Sequence, residues 1–346
     1  MQKVVSGFVK LKQGVSKDVG RDLKEDIGCS GGMNRLLSDS CIQLCEDGTH
    51  RSHSLFPTGL LFVPNVASFQ HAYTKGRRMR YHSIALGGGG MRGAVHLGAL
   101  KALREVQGSL EFPNGIYGSS VGAIGAAMVA FNVPVETIES VFTKYYTRSA
   151  WIPTPHIGHA WGIPARKGVF TMDKMREMLV SVFTECGIKD VETKRICDAP
   201  QTLYIIASNL STRRPAILTG EVPLLQALLC SCCIPGLFVP QILYGDVYLD
   251  AFVYTRRVER VVPPGTLVLV LRDIGEKITP KSSMSDILYA CVAGNTISQD
   301  SIHVCYFKNI GIGVIEEVTA KQREEMIQQG YLQTLSFMAK MAAKER

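Results

Sequence analysis

The clearest rhythm of apolar and polar positions begins after residue 80. Ser83-Ile84-Ala85-Leu86 is a short unbroken apolar run, as a strand buried on both faces requires. Four glycines follow, Gly87–Gly90. From Ala94 to Val106 the apolar residues Val95, Leu97, Leu100 and Leu103 recur at helical spacing. The pattern then repeats. Ile116-Tyr117 predicts a second strand, Gly118 and Gly122 bracket a turn, and Val121–Phe131 predicts an apolar helix. Leu203–Ala207 and Thr266–Leu271 are further β-rich runs, and Lys321–Arg346 predicts a terminal amphipathic helical region. Strand, glycine turn and helix in alternation predict an α/β fold: a mostly parallel central sheet with helices on both faces.

Residues 1–80 lack such periodicity. Val4, Val5, Phe8 and Leu11 share one helical face, with Lys3, Lys10 and Lys12 between them, and Lys75-Gly76-Arg77-Arg78-Met79-Arg80 ends the stretch. The chain therefore divides into an N-terminal extension over 1–80, an α/β domain over 81–280 and a helical region over 281–346. The extension holds 12 Lys and Arg against 7 Asp and Glu. It carries +5 of the net +8, leaving +3 for the other 266 residues. That excess is compatible with an anionic surface, and a solvated face explains it equally well.

Hydrophobic residues make up 46% of the 346 and charged residues 20%, ordinary for a globular protein with a sizeable core. Phe112–Val135 and Val222–Gly245 are uncharged. The glycines of the first and Pro223, Pro235 and Pro240 of the second fit buried α/β core better than membrane spans. Ten cysteines without a secreted-scaffold spacing or signal peptide suggest reduced thiols inside a cell. Cys29, Cys41 and Cys45 lack a second ligand pair, so no metal site is expected.

Gly118-Ser119-Ser120-Val121-Gly122 has the form of a nucleophile elbow. Such a turn cramps the serine backbone and aims its side chain above the sheet, at a helix N-terminus that favours developing negative charge. The pattern alone also describes a tight structural turn. Gly88-Gly89-Gly90-Met91-Arg92-Gly93 follows a strand and opens a helix, and its backbone N–H groups suit an oxyanion. The same string matches a dinucleotide-binding fingerprint, for which Glu111 is the acidic residue at about the right distance. No histidine stands out as a base, with His96 inside the helix after the loop. Asp250 closes a β-like run, and Asp246 is read as a solvent-facing turn residue beside Gly245.

Three blocks in this order resemble the patatin-like phospholipases: Gly88–Leu100, Gly118–Ile124, and Ser231–Pro240 leading to Asp250. The likeness spans roughly residues 82–275. It implies a three-layer fold related to the α/β-hydrolases and a Ser–Asp dyad, with Ser120 as nucleophile and Asp250 as general base. It implies an oxyanion hole from Gly88, Gly89, Gly90 and Gly93 with Arg92 in support. It also implies fatty-acyl ester hydrolysis of the phospholipase A type, without metal or cofactor. Expected partners are a lipid substrate and a membrane or lipid-droplet surface touched peripherally, and not nucleic acid. The expected location is cytoplasmic or membrane-associated. One departure stands out: the family usually has glycine after the aspartate, and here Ala251 follows. If that position needs positive φ, alanine is strained there. Such strain would favour a weak or inactive lipid-binding relative.

Overall fold

The computed structural model describes residues 80–154, 167–255, 258–271, 303–308, 310 and 312–344. The N-terminal extension up to residue 79, with Cys29, Cys41 and Cys45, lies outside them.

Five parallel strands form the centre of the main sheet. They are β1 (Ile84–Leu86), β2 (Ile116–Ser119), β4 (Leu203–Asn209), β9 (Leu267–Val270) and β10 (Val304–Tyr306), side by side as β10-β9-β1-β2-β4. Three antiparallel strands extend it: β5 (Arg214–Leu218), β7 (Gln241–Leu243) and β8 (Asp246–Leu249). Outside it, β3 (Gly168–Phe170) and β6 (Gly236–Phe238) make a small parallel pair.

The helices are α1 (Ala94–Gln107), α2 (Val121–Ala130), α3 (Val135–Tyr145), α4 (Arg148–Trp151), α5 (Asp173–Glu185), α6 (Leu224–Ser231) and α7 (Ala320–Lys344). The described part of 281–346 thus holds an edge strand of the sheet as well as a helix.

Alternation along the strands separates two cores. Ile84, Leu86, Ile116 and Ile205 enter the larger one, with α1, α2 and α6. Ala85, Tyr117, Ile206, Val268 and Val304 face the opposite side. Among the described residues they meet Ala251, Val258 and Val262, at or near the 3-10 turns Ala251–Val253 and Val258–Arg260.

The first uncharged segment is largely interior, as its composition predicts; the second is largely buried over 224–233 but exposes Ile242 and Tyr244. The first forms β2 and α2, a helix apolar on all sides and buried at nine of its ten residues. The second forms α6, β6 and β7. No described helix is long and apolar enough to cross a membrane.

Strand lengths position the site. Ser119 at the end of β2 is level with Ile206, so β4 runs three residues further. β8 pairs antiparallel with that overhang, Leu249 opposite Ser208. It therefore heads back toward the end of β2 and delivers Asp250 beside the turn that follows Ser119.

Candidate active site

Ser120 has φ 53° and ψ −130°, a conformation costly for any residue with a Cβ. Two glycines make the turn possible. A Cβ at Gly118 would lie 2.5 Å from Ala123 Cα, and one at Gly122 would lie 2.2 Å from the Leu86 carbonyl oxygen. The elbow is thus pressed onto the end of β1. Its backbone is held from below: the Ser120 N–H donates to Ser231 Oγ at 2.8 Å, and the Ser231 hydroxyl donates to the Ile206 carbonyl at 2.6 Å. Ser231 stands in the third sequence block, but nothing near it marks a bond to a residue so distant in the chain.

The glycine loop lies beside the serine. A Cβ on Gly88 would be 3.1 Å from Ser120 Cβ. Gly90 has φ +55°, and a Cβ there would meet the Val314 carbonyl oxygen at 2.0 Å. Some of the loop's N–H groups are already used. Arg92 N–H donates to Gly89, and Gly93 N–H to Gly90, each at 3.1 Å, while Met91 N–H donates to Val314 at 2.8 Å. The N–H groups of Gly88, Gly89 and Gly90 have no partner among the described residues. Arg92 is buried, and its Nε donates to the Ile312 carbonyl. Tyr146 donates its hydroxyl to the Met91 carbonyl and accepts from Ala94 N–H at 3.2 Å. Neither the Tyr146 contact nor those at residues 312–314 has a sequence signal.

Asp250 is 2% exposed. Its Oδ1 accepts the Phe252 N–H at 3.1 Å, and Oδ2 has no hydrogen-bond partner among the described residues. Burial raises its pKa to about 7. The Ser120 side chain and the Phe252 N–H pull the other way. Ser120 therefore lies close enough to favour the carboxylate, although full hydrogen-bond geometry is not reached. The Asp250 N–H is fixed on the Cys233 carbonyl at 2.8 Å. Burial, then the charge of Asp250, pushes the thiols of Cys232 and Cys233 well up, so both stay protonated.

The condition under which Ala251 would be strained is not met. Ala251 opens a 3-10 turn and is absent from the positive-φ residues. It is buried, and its carbonyl accepts from the Ser208 hydroxyl at 3.1 Å.

Other candidates fall away from the serine. Burial lowers the His96 pKa to about 3, and its backbone partner is Leu269. Asp246 is not simply a solvated turn residue: it begins β8, and its Oδ2 accepts from Asn209 Nδ2 at 2.8 Å. Glu111 precedes β2, at the strand end away from the glycine loop, and pairs with Arg80 at 3.0 Å. A dinucleotide site needs its acid at the other end. No cluster of three His, Cys, Asp or Glu side chains suited to a metal occurs among the described residues.

A cavity opens beside Ser120, about 450 Å³ including the part open to solvent. Met91, Trp151, Ile152, Met175 and Phe238 line it, with Val314 and Ile315 on the C-terminal side. Its wall is overwhelmingly apolar, which suits a hydrocarbon chain.

The model of the patatin-like phospholipase family matches residues 84–256. An uncharacterized protein, R571, of Acanthamoeba polyphaga mimivirus is 27% identical over 176 residues, 49% of this chain and 57% of that one. A cUMP-AMP-activated phospholipase of Escherichia coli is 26% identical over 141 residues, 40% of this chain and 38% of that one. The matched stretch thus spans about half or less of these relatives. Among solved structures, VipD from Legionella pneumophila has a TM-score of 0.46 at 14% identity, covering 75% of this chain and 67% of that one. ExoU of the ExoU–SpcU complex from Pseudomonas aeruginosa has a TM-score of 0.43 at 15% identity, covering 77% and 52%.

Proposed function

The chain belongs to the patatin-like phospholipase family, and from that premise we propose that it hydrolyses fatty-acyl esters of phospholipids, as a phospholipase A, through a Ser120–Asp250 dyad. One observation carries the reading. A buried carboxyl whose Oδ2 has no partner among the described residues lies against a serine on a strained elbow, and Gly88, in a loop with three N–H groups unpartnered among those residues, adjoins that serine.

In the first half-reaction Ser120 Oγ attacks the ester carbonyl and its proton passes to Asp250. The N–H groups of Gly88, Gly89 and Gly90 are the candidate donors to the oxyanion, typically about 100- to 1,000-fold in rate each. Arg92 and Gly93 spend their own N–H groups within the loop, so their part is to hold its shape. Collapse expels the lysolipid alcohol, which takes the proton from Asp250. Water then attacks the acyl-enzyme, gives a proton to Asp250 and releases the fatty acid, and the proton returns to Ser120 Oγ. The apolar cavity holds the acyl chain meanwhile. Beyond the substrate and one water, each step uses groups of this chain.

The test is hydrolysis of phospholipid vesicles with a chelator present. Wild type is expected to release fatty acid and lysolipid, and Ser120→Ala and Asp250→Asn each to lose at least about 1,000-fold in kcat. Equal rates in all three proteins refute the dyad, and loss of wild-type activity to the chelator refutes the metal-free route. A non-catalytic lipid-binding role has two motives, strain at Ala251 and the basic N-terminus; the ordinary backbone at Ala251 removes the first, and the second lies outside the described residues.

A further inference from the structure

We propose that the segment Ile312–Ile315, which lies beyond the family match, is the acyl-chain selectivity element of this active site, and that the Ile315 side chain limits the chain length accepted. The inference rests on the acyl-hydrolase reading above and adds to it a determinant of substrate choice.

The segment is tied to the glycine loop at three successive points. The Ile312 carbonyl accepts from Arg92 Nε, the Val314 carbonyl accepts from Met91 N–H at 2.8 Å, and Val314 presses on Gly90 so closely that no Cβ fits there. It is also held in its own shape. Glu316 Oε2 accepts the Gly313 N–H at 2.7 Å, closing the turn, and Glu317 Oε1 accepts the Arg148 N–H at 3.3 Å. Arg148 begins α4, the short helix that carries Trp151 into the same cavity. Val314 and Ile315 then line the cavity together with Met175 and Phe238 of the family domain.

Main-chain bonds fix the segment, so the Ile315 side chain is free to differ without disturbing the loop. That is the arrangement expected of a selectivity element: the backbone serves the oxyanion loop and the side chains serve the substrate. Val314 is constrained by Gly90. Ile315 is half-buried and faces the cavity without such a neighbour, which makes it the position where size translates into chain length.

Two readouts test this on the full chain. In the Ser120→Ala background, medium-chain and long-chain fatty acids are titrated by calorimetry. Ile315→Phe is expected to weaken the long chain about tenfold relative to the medium one, and Ile315→Ala to shift the ratio the other way. In the active protein, the same substitutions are expected to move the ratio of kcat/KM between long- and medium-chain esters alike. Thermal unfolding confirms that the variants fold, and Val314→Ala provides a second, smaller perturbation of the same wall. A merely structural role would change both chain lengths equally, and that result overturns the proposal. So does an unchanged ratio in folded Ile315 variants, or a wild-type cavity that takes up neither fatty acid. A length ratio that shifts among the Ser120→Ala variants while the wild type never turns over refutes the hydrolase reading instead, which keeps the two failures distinct.

Discussion

Asp250 is the residue on which rate and stability pull apart. In the general-base role we propose it must be ionised, and its pKa of about 7 puts that ionisation at neutral pH. Activity is expected to fall about tenfold per unit of pH below 7 and to level off above it, read as kcat/KM from pH 5 to 9. Stability has the opposite sign. The carboxyl titrates near 3.8 when unfolded and near 7 when folded, so between those values the native state binds more protons. Stability from this group is present in acid and lost as pH rises through 7, by roughly 4 kcal/mol at most. Asp250→Asn should therefore raise the melting temperature more at pH 8 than at pH 5. An equal effect at both pH values would mean the carboxyl is not held in a desolvated site. At this scale the sequence was informative about Ser120, because an elbow has a local signature in Gly118 and Gly122. It was uninformative about Ala251, because whether alanine is strained depends on a 3-10 turn and on Ser208, which reaches the Ala251 carbonyl from β4.

Among the elements, those with an apolar run or period of their own were legible, and strands that lean on a distant partner were not. β1, β2, β4, β9, α1 and α2 follow from hydrophobic period within one or two residues. The three-residue strands β3, β6, β7 and β10 do not, because each exists through a distant partner rather than its own propensity. The contact of α1 with α7 has the same character. Gly98 inside a helix costs about 1 kcal/mol against alanine, which hints at a packing reason without naming the partner. The partner is α7: a Cβ on Gly98 would lie 1.8 Å from the Ile327 carbonyl oxygen, and one on Gly330 would lie 2.1 Å from that of Val95. The two backbones touch. Gly98→Val or Gly330→Val must force the helices apart, at an expected cost of about 1–3 kcal/mol each. The double variant should lose less than the sum, since the first substitution already opens the contact. Chemical denaturation of the four proteins gives the cycle. Strict additivity would show that the two glycines serve separate contacts. Because α1 continues from the glycine loop and α7 from the 312–315 segment, each variant should also lower kcat.

At the scale of the whole molecule the question is how a protein with no membrane-crossing helix among its described residues reaches lipid. The net charge is +8, and +5 of it lies in residues 1–80. The basic cluster at 75–80 is the electrostatic contact with an anionic bilayer that we propose, and of its members only Arg80 lies among the described residues. Arg80 is already engaged with Glu111 at 3.0 Å and with Ser109 at 3.1 Å. Both members of the ion pair are well exposed, so the pair itself adds little to stability. It does, however, set a neighbouring negative charge against Arg80, which weakens what that arginine offers to a lipid surface. Binding of the Ser120→Ala protein to vesicles is the clean measurement, since no substrate is consumed. Cosedimentation with anionic vesicles should exceed that with zwitterionic ones and fall as salt rises, because screening shortens the reach of these charges to about 10 Å at 0.1 M. Replacing Lys75, Arg77 and Arg78 by alanine should weaken anionic binding roughly a hundredfold at low salt, at about 1 kcal/mol per cation. Arg80→Ala should change it far less. If binding is indifferent to salt and to all four cations, attachment is hydrophobic alone, and the basic excess is a solvated surface with no part in reaching the lipid.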